Sequence, residues 1–85
     1  MLGRAAIEQT CIEKTARVFQ VEPQKLDMET RFTEDLGARS MQAMKLTILL
    51  EDAFEIKVPM SRVLKNETLR DCVDMVVEIL AESDK

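Results

Sequence analysis

Between Leu69 and Leu80 apolar residues return at steps of three and four: Leu69, Cys72, Val73, Val76, Val77 and Leu80. At about 100° per residue they share one arc of a helix, and the two-residue alternation of a strand would scatter them over both faces. Thr68-Leu69-Arg70-Asp71 precedes the run as a capping box, in which hydroxyl and carboxylate satisfy backbone N–H groups that a helix start leaves open. This is the clearest amphipathic helix in the chain, and it needs other apolar surfaces to cover it.

The rest of the sequence supplies them as further helices. From Arg4 to Phe19, Ile7, Cys11, Ile12, Val18 and Phe19 fall in one broad arc. Val21-Glu22-Pro23 ends that helix, because proline disfavours helical geometry at the preceding residue, and Pro23 is suited to restart a short turn. A long connection then runs to about Ala38, with Leu26, Phe32 and Leu36 as the side chains expected to pin it. At its end Gly37 permits a turn, and Ser40 is expected to cap a second helix by accepting from an early N–H. That helix spans Ser40 to Glu55, with Ala43, Leu46, Leu49, Leu50, Ala53 and Phe54 on its core face. Val58-Pro59 breaks the chain, and Met60 to Lys65 leaves room for one short helix. With no repeat, no strand alternation and only two glycines, the expectation is an all-α, four-helix bundle of three longer helices and one short one. Residues 1–85 make one domain, with 1–3 and the polar end 82–85 expected to fray and Ala81 at the start of that tail.

Composition narrows the function. The 16 acidic residues outnumber 12 basic ones, for a net charge of −4, so binding to a phosphate backbone is disfavoured and nucleic acid is not the expected partner. Cys11 and Cys72 form no CxxC pair and there is no histidine, which removes the zinc and redox spacings; both are expected to be small core residues. Glu34-Asp35 and Glu51-Asp52 lack the alternating oxygen ligands of a calcium loop, so no metal site is expected. No stretch is apolar over the ~18 residues of a membrane span, and no secretion signal is read at the N-terminus. The expectation is a cytoplasmic monomer.

The second helix carries one apolar stripe more than a core face needs. Met41, Met44 and Ile48 stand apart from the core arc, on the side shared with Glu51, Asp52 and Glu55. Either the bundle wraps around to bury them or they meet a partner, a use for which adaptable methionines are suited. Ser40 heads the stripe. Without a histidine base or a G-x-S-x-G elbow it is no nucleophile of its own, so no catalytic residue is expected, and any modification of Ser40 must be made by another protein.

Asp35-Leu36-Gly37-Ala38-Arg39-Ser40-Met41 is similar to the Asp-Leu-Gly-Ala-Asp-Ser-Leu segment of the acyl carrier proteins. Phe32-Thr33-Glu34 before it, Leu50-Glu51-Asp52-Ala53-Phe54 after it and Ile56-Lys57-Val58-Pro59 further on extend the resemblance over nearly the whole chain. The resemblance implies a carrier rather than an enzyme, with 4′-phosphopantetheine moved from coenzyme A onto Ser40 by a phosphopantetheinyl transferase. An acyl chain would ride on that arm as a thioester, delivered to acyl-loading and acyl-processing enzymes and sheltered by a core lined by Leu46, Leu50, Phe54, Val63 and Val73. Partner contacts are then expected at Arg39, Met41, Met44, Lys45, Ile48, Glu51 and Asp52.

The sequence also departs from the family pattern. Arg39 stands where an acid usually precedes the serine, Gln42 and Lys45 stand where acids usually meet basic partner surfaces, and Met41 replaces leucine. Close like charges would cost binding to partners that read an acidic helix start, which implies a specialised member serving a dedicated fatty acid, polyketide or modified-lipid pathway. The alternative is an unmodified protein of the same fold that acts as an interaction subunit through Met41, Met44 and Ile48. A carrier of aminoacyl or peptidyl groups resembles the sequence less well.

Overall fold

The computed structural model describes residues 3–83, and these form four α-helices: α1 (Arg4–Phe19), α2 (Ser40–Phe54), α3 (Met60–Val63) and α4 (Leu69–Ser83). A single 3-10 turn, Pro23–Lys25, follows α1, where Pro23 at its first position needs no N–H. α1 packs against both α2 and α4, and α3 closes the remaining side between α2 and α4.

The core runs along α4, which buries Leu69, Cys72, Val73, Met75, Val76 and Ile79. Val77 and Leu80, expected in that arc, are half-buried, and Met75 and Ile79 take the interior in their place. The arc is turned toward α3: Met75 Sδ lies 3.5 Å from Asn66 Nδ2, and Ile79 shares a cleft with Pro59 and Arg62. α1 contributes Ile7, Cys11, Thr15 and Ala16, while the expected Ile12, Val18 and Phe19 line the edge of the core. In α2 the buried set is Leu46, Thr47, Leu50 and Phe54. Ala53 is exposed, since a lone methyl at the margin of the arc has little area to hide, and Ala43 and Leu49 are half-buried. Thr47 enters the core because its hydroxyl donates to the Ala43 carbonyl at 2.7 Å, which removes the cost of burying it.

The capping box at α4 forms as expected: Thr68 Oγ1 accepts from the Asp71 N–H at 3.2 Å, and Asp71 Oδ2 accepts from the Thr68 N–H at 3.1 Å. The end of α4 differs from expectation. Residues 81–83 are helical, and the Ser83 hydroxyl donates to the Ile79 carbonyl at 3.0 Å, holding the last turn. Gly3 is the extended residue that begins α1, so of the ends expected to fray only 1–2 and 84–85 lie outside the described residues.

The long connection is tied to the start of α4 by its own backbone. Phe32 N–H donates to the Glu67 carbonyl at 2.9 Å, Leu69 N–H to Thr30 at 3.0 Å and Arg70 N–H to Met28 at 3.0 Å. Leu26 and Phe32 are buried beneath it, with the Phe32 ring 6.4 Å from that of Phe19; Leu36 is only half-buried. The segment that leads to Ser40 is thus anchored at both ends.

Candidate functional site

The approach to Ser40 is a wound turn. Asp35 and Leu36 N–H groups donate to the Arg31 carbonyl, Gly37 N–H to Thr33 at 3.1 Å, and Ala38 N–H returns to the Phe32 carbonyl at 2.9 Å. Asp35 Oδ2 braces the start by accepting from the Arg31 N–H at 2.8 Å. Gly37 sits at φ +65°, the left-handed region that lets the chain leave the turn and enter α2.

Ser40 is not the cap of α2. Arg39 is the extended residue at that position, and its N–H is satisfied by Gln42 Oε1 at 3.0 Å, three residues on. With that position taken, Ser40 becomes the first helical residue. Its side chain is exposed and makes no hydrogen bond among the described residues, so its hydroxyl stands ready for an outside reagent. The unbound N–H groups of the first turn and the Arg39 guanidinium give this end positive character, suited to a phosphate ester.

Beside Ser40 opens a cavity of about 270 Å³, with Arg39, Ser40, Gln42, Thr33 and Asn66 supplying polar groups and Phe19, Phe32, Leu46 and Val63 among its apolar walls. Of the five residues expected to shelter an acyl chain, Leu46 and Val63 line this cavity. Leu50, Phe54 and Val73 are packed in the core and do not. Phe19, Phe32 and Leu64 were not anticipated in this role; they reach it because α1 ends, the long connection crosses and α3 closes at one place.

On α2, Met41, Met44 and Ile48 are 63%, 57% and 58% exposed, so the bundle does not wrap around to cover them. Leu64, just past α3, is 61% exposed as well. Arg39, Lys45 and Asp52 are also exposed. Glu51 is half-buried, with Oε2 accepting from the Val58 N–H at 2.8 Å, a bond that ties α2 to the approach to α3.

Comparison with known proteins adds the family. Residues 10–76 match the phosphopantetheine attachment site family. An acyl carrier protein of Campylobacter concisus is 34% identical over 72% of this chain and 79% of its own length, and one from Campylobacter fetus is 36% identical over 68% and 75%. The chain belongs to the acyl carrier protein family. The group such a domain holds is 4′-phosphopantetheine, and such carriers work with modifying and acyl-handling enzymes without being enzymes themselves. The solution structure of the 3,7-dioxo-octyl actinorhodin acyl carrier protein from Streptomyces coelicolor superposes with a TM-score of 0.68, covering 96% of this chain and 94% of that one at 22% identity, and supports the same fold.

For this carrier the residues present fit the arm: an exposed, unbonded hydroxyl, a helix start beside it and a mixed polar and apolar cavity alongside. Among the described residues no three histidine, cysteine or acidic side chains come together as metal ligands, and no helix is long and apolar enough to cross a membrane. Cys11 and Cys72 are free and fully buried. They meet between α1 and α4, where hydrogen bonding to Cys11 and then burial push the Cys72 thiol well above its ordinary range. In that setting the Cys72 thiol is not a nucleophile at neutral pH.

Proposed function

We propose that Ser40 is the attachment residue and that the protein carries an acyl chain, as a thioester on 4′-phosphopantetheine, to enzymes of a dedicated fatty acid, polyketide or modified-lipid pathway. The observation that supports this most is the state of Ser40: in the first turn of α2, with the cap position filled by Arg39 and Gln42, its hydroxyl has no structural bond to lose. The bound group supplies the thiol, and this chain supplies the rest. Ser40 offers the oxygen, Arg39 and the helix start balance the phosphodiester, and the cavity between Phe32, Leu46 and Val63 takes apolar cargo out of water. A phosphopantetheinyl transferase, acyl-loading enzymes and acyl-processing enzymes are the partners of this reading, and it places the protein in the cytoplasm as a monomer.

The size of the cavity favours short or medium cargo. About 270 Å³ corresponds to roughly nine water volumes, and its lining includes Thr33, Gln42 and Asn66, which can hydrogen-bond an oxygenated chain.

The test is intact mass after incubation with coenzyme A, magnesium and a broad-specificity transferase, with Ser40→Ala in parallel. A gain of one phosphopantetheine that the variant lacks is the expected result. No gain, with the chain folded and a known carrier modified alongside, would overturn the reading and leave the interaction subunit built on Met41, Met44 and Ile48.

A further inference from the structure

The charges around the exposed stripe of α2 are arranged against the stability of the helix. A helix start favours acids and a helix end favours bases, at roughly 0.3–1 kcal/mol each. α2 has no acid in its first turn and no base in its last; Arg39 stands at its positive end, while Glu51, Asp52 and Glu55 stand at its negative end. Glu51 has a structural use in holding the Val58 N–H at 2.8 Å, whereas Asp52 and Glu55 hold no partner among the described residues.

Ion pairing sorts the arginines in the same way. Arg4, Arg31, Arg62 and Arg70 each hold a carboxylate of this chain. Arg17 and Arg39 hold none among the described residues, in a molecule with an excess of acids. Arg39 heads α2, and Arg17 reaches it from α1, where Arg17, Val18, Gln20, Lys45, Ile48 and Leu49 line one cleft of about 300 Å³. The result is one surface: exposed Met41, Met44 and Ile48, a basic margin of Arg39, Lys45 and Arg17 toward Ser40, and the acids of α2 itself only on its far half.

We infer that this face docks a partner enzyme whose surface bears an apolar prominence with carboxylates placed to meet Arg39, Lys45 and Arg17. The apolar part seats over Ile48 in the cleft, and the charge pattern fixes orientation, since a partner turned end for end would set acids against Asp52 and Glu55. Only the description of the partner as an acyl-handling enzyme rests on the carrier reading of Ser40; the polarity of the surface stands without it.

The test uses the full-length, isotope-labelled chain and two helical peptides of about 15 residues that share one leucine stripe, one flanked by glutamates and the other by lysines. Amide chemical shifts are followed on titration, before and after transferase treatment, with intact mass read on the same samples, so that failure of Ser40 modification shows separately. The glutamate peptide is expected to shift amides of residues 17–20 and 39–48 and to bind about ten-fold more tightly than the lysine peptide, a gap that narrows as salt rises. Arg17→Glu with Lys45→Glu should reverse the preference. The salt titration on the unaltered chain decides the matter should that double variant fold poorly. Equal binding of the two peptides, no binding of either, or shifts confined to another face would overturn the inference.

Discussion

At Gly37 the backbone takes φ +65°, and a methyl group built there would meet nothing within 4 Å. Space is therefore no obstacle and the whole cost of Gly37→Ala lies in the backbone angle, about 1 kcal/mol by chemical denaturation. A neutral change would show that the turn before Ser40 does not need that angle. Thr15 poses the opposite case. It is fully buried in α1 and its Oγ1 has no hydrogen-bond partner among the described residues. Thr15→Val keeps the shape and removes the orphan hydroxyl, so thermal unfolding should show a gain of about 1 kcal/mol, and a loss would contradict the account. These two residues mark what the sequence could and could not reveal. Gly37 was legible because a glycine before a serine-led helix has few other uses. Thr15 and Thr47 were not, because burial of a hydroxyl depends on neighbours that hydropathy does not name. The left-handed φ of Gln20 and Glu55 likewise has no glycine to announce it. By sequence Ser40 reads as a cap because serine so often is one; the deciding partner, Gln42 Oε1 on the Arg39 N–H, is a matter of side-chain direction.

Elements were more legible than residues. α1 and the start of α4 fall where periodicity, proline and the capping box put them, since these are local signals. The capping box also gives α4 a pH dependence. Asp71 accepts from the Glu67 N–H and the Thr68 N–H, which hold its carboxyl below the usual range. A carboxylate lowered on folding stabilises the native state above its unfolded pKa of about 3.9, and that contribution disappears as pH falls through the lower folded value. Asp71→Asn should therefore cost about 0.5–1 kcal/mol at neutral pH, as loss of a cap does, with the gap from the parent chain closing as pH falls below the unfolded pKa of about 3.9. A gap that does not change with pH would mean that charge plays no part. The outer stripe of α2 makes a different prediction. Met44 is 57% exposed, so Met44→Glu should leave the helical circular dichroism spectrum intact and change stability by no more than about 0.5 kcal/mol. Unfolding of the variant would place Met44 in the core after all. Periodicity had separated this stripe from the core face but could not say whether the bundle would cover it, because that depends on where α3 packs.

In the whole molecule a small core holds the start of α2 beside a cavity of about 270 Å³. α1 packs against both α2 and α4, and the long connection is tied by backbone hydrogen bonds to the start of α4 and the segment before it, so that the turn carrying Ser40 is braced by residues more than thirty positions away in sequence. The family resemblance read from Asp35 to Met41 and the match over residues 10–76 agree on the family, and the all-α architecture follows from patterning alone. The cavity walls did not follow, because Phe19, Phe32 and Leu64 come together only through tertiary packing. The central claim is that the arm sits on Ser40, and peptide mapping of transferase-treated protein tests it most directly. Cleavage after Arg39 and Lys45 releases residues 40–45, in which Ser40 is the one hydroxyl side chain. Phosphopantetheine on that fragment is the predicted result; its presence on another peptide, or a fully modified protein with this fragment unmodified, would contradict the account.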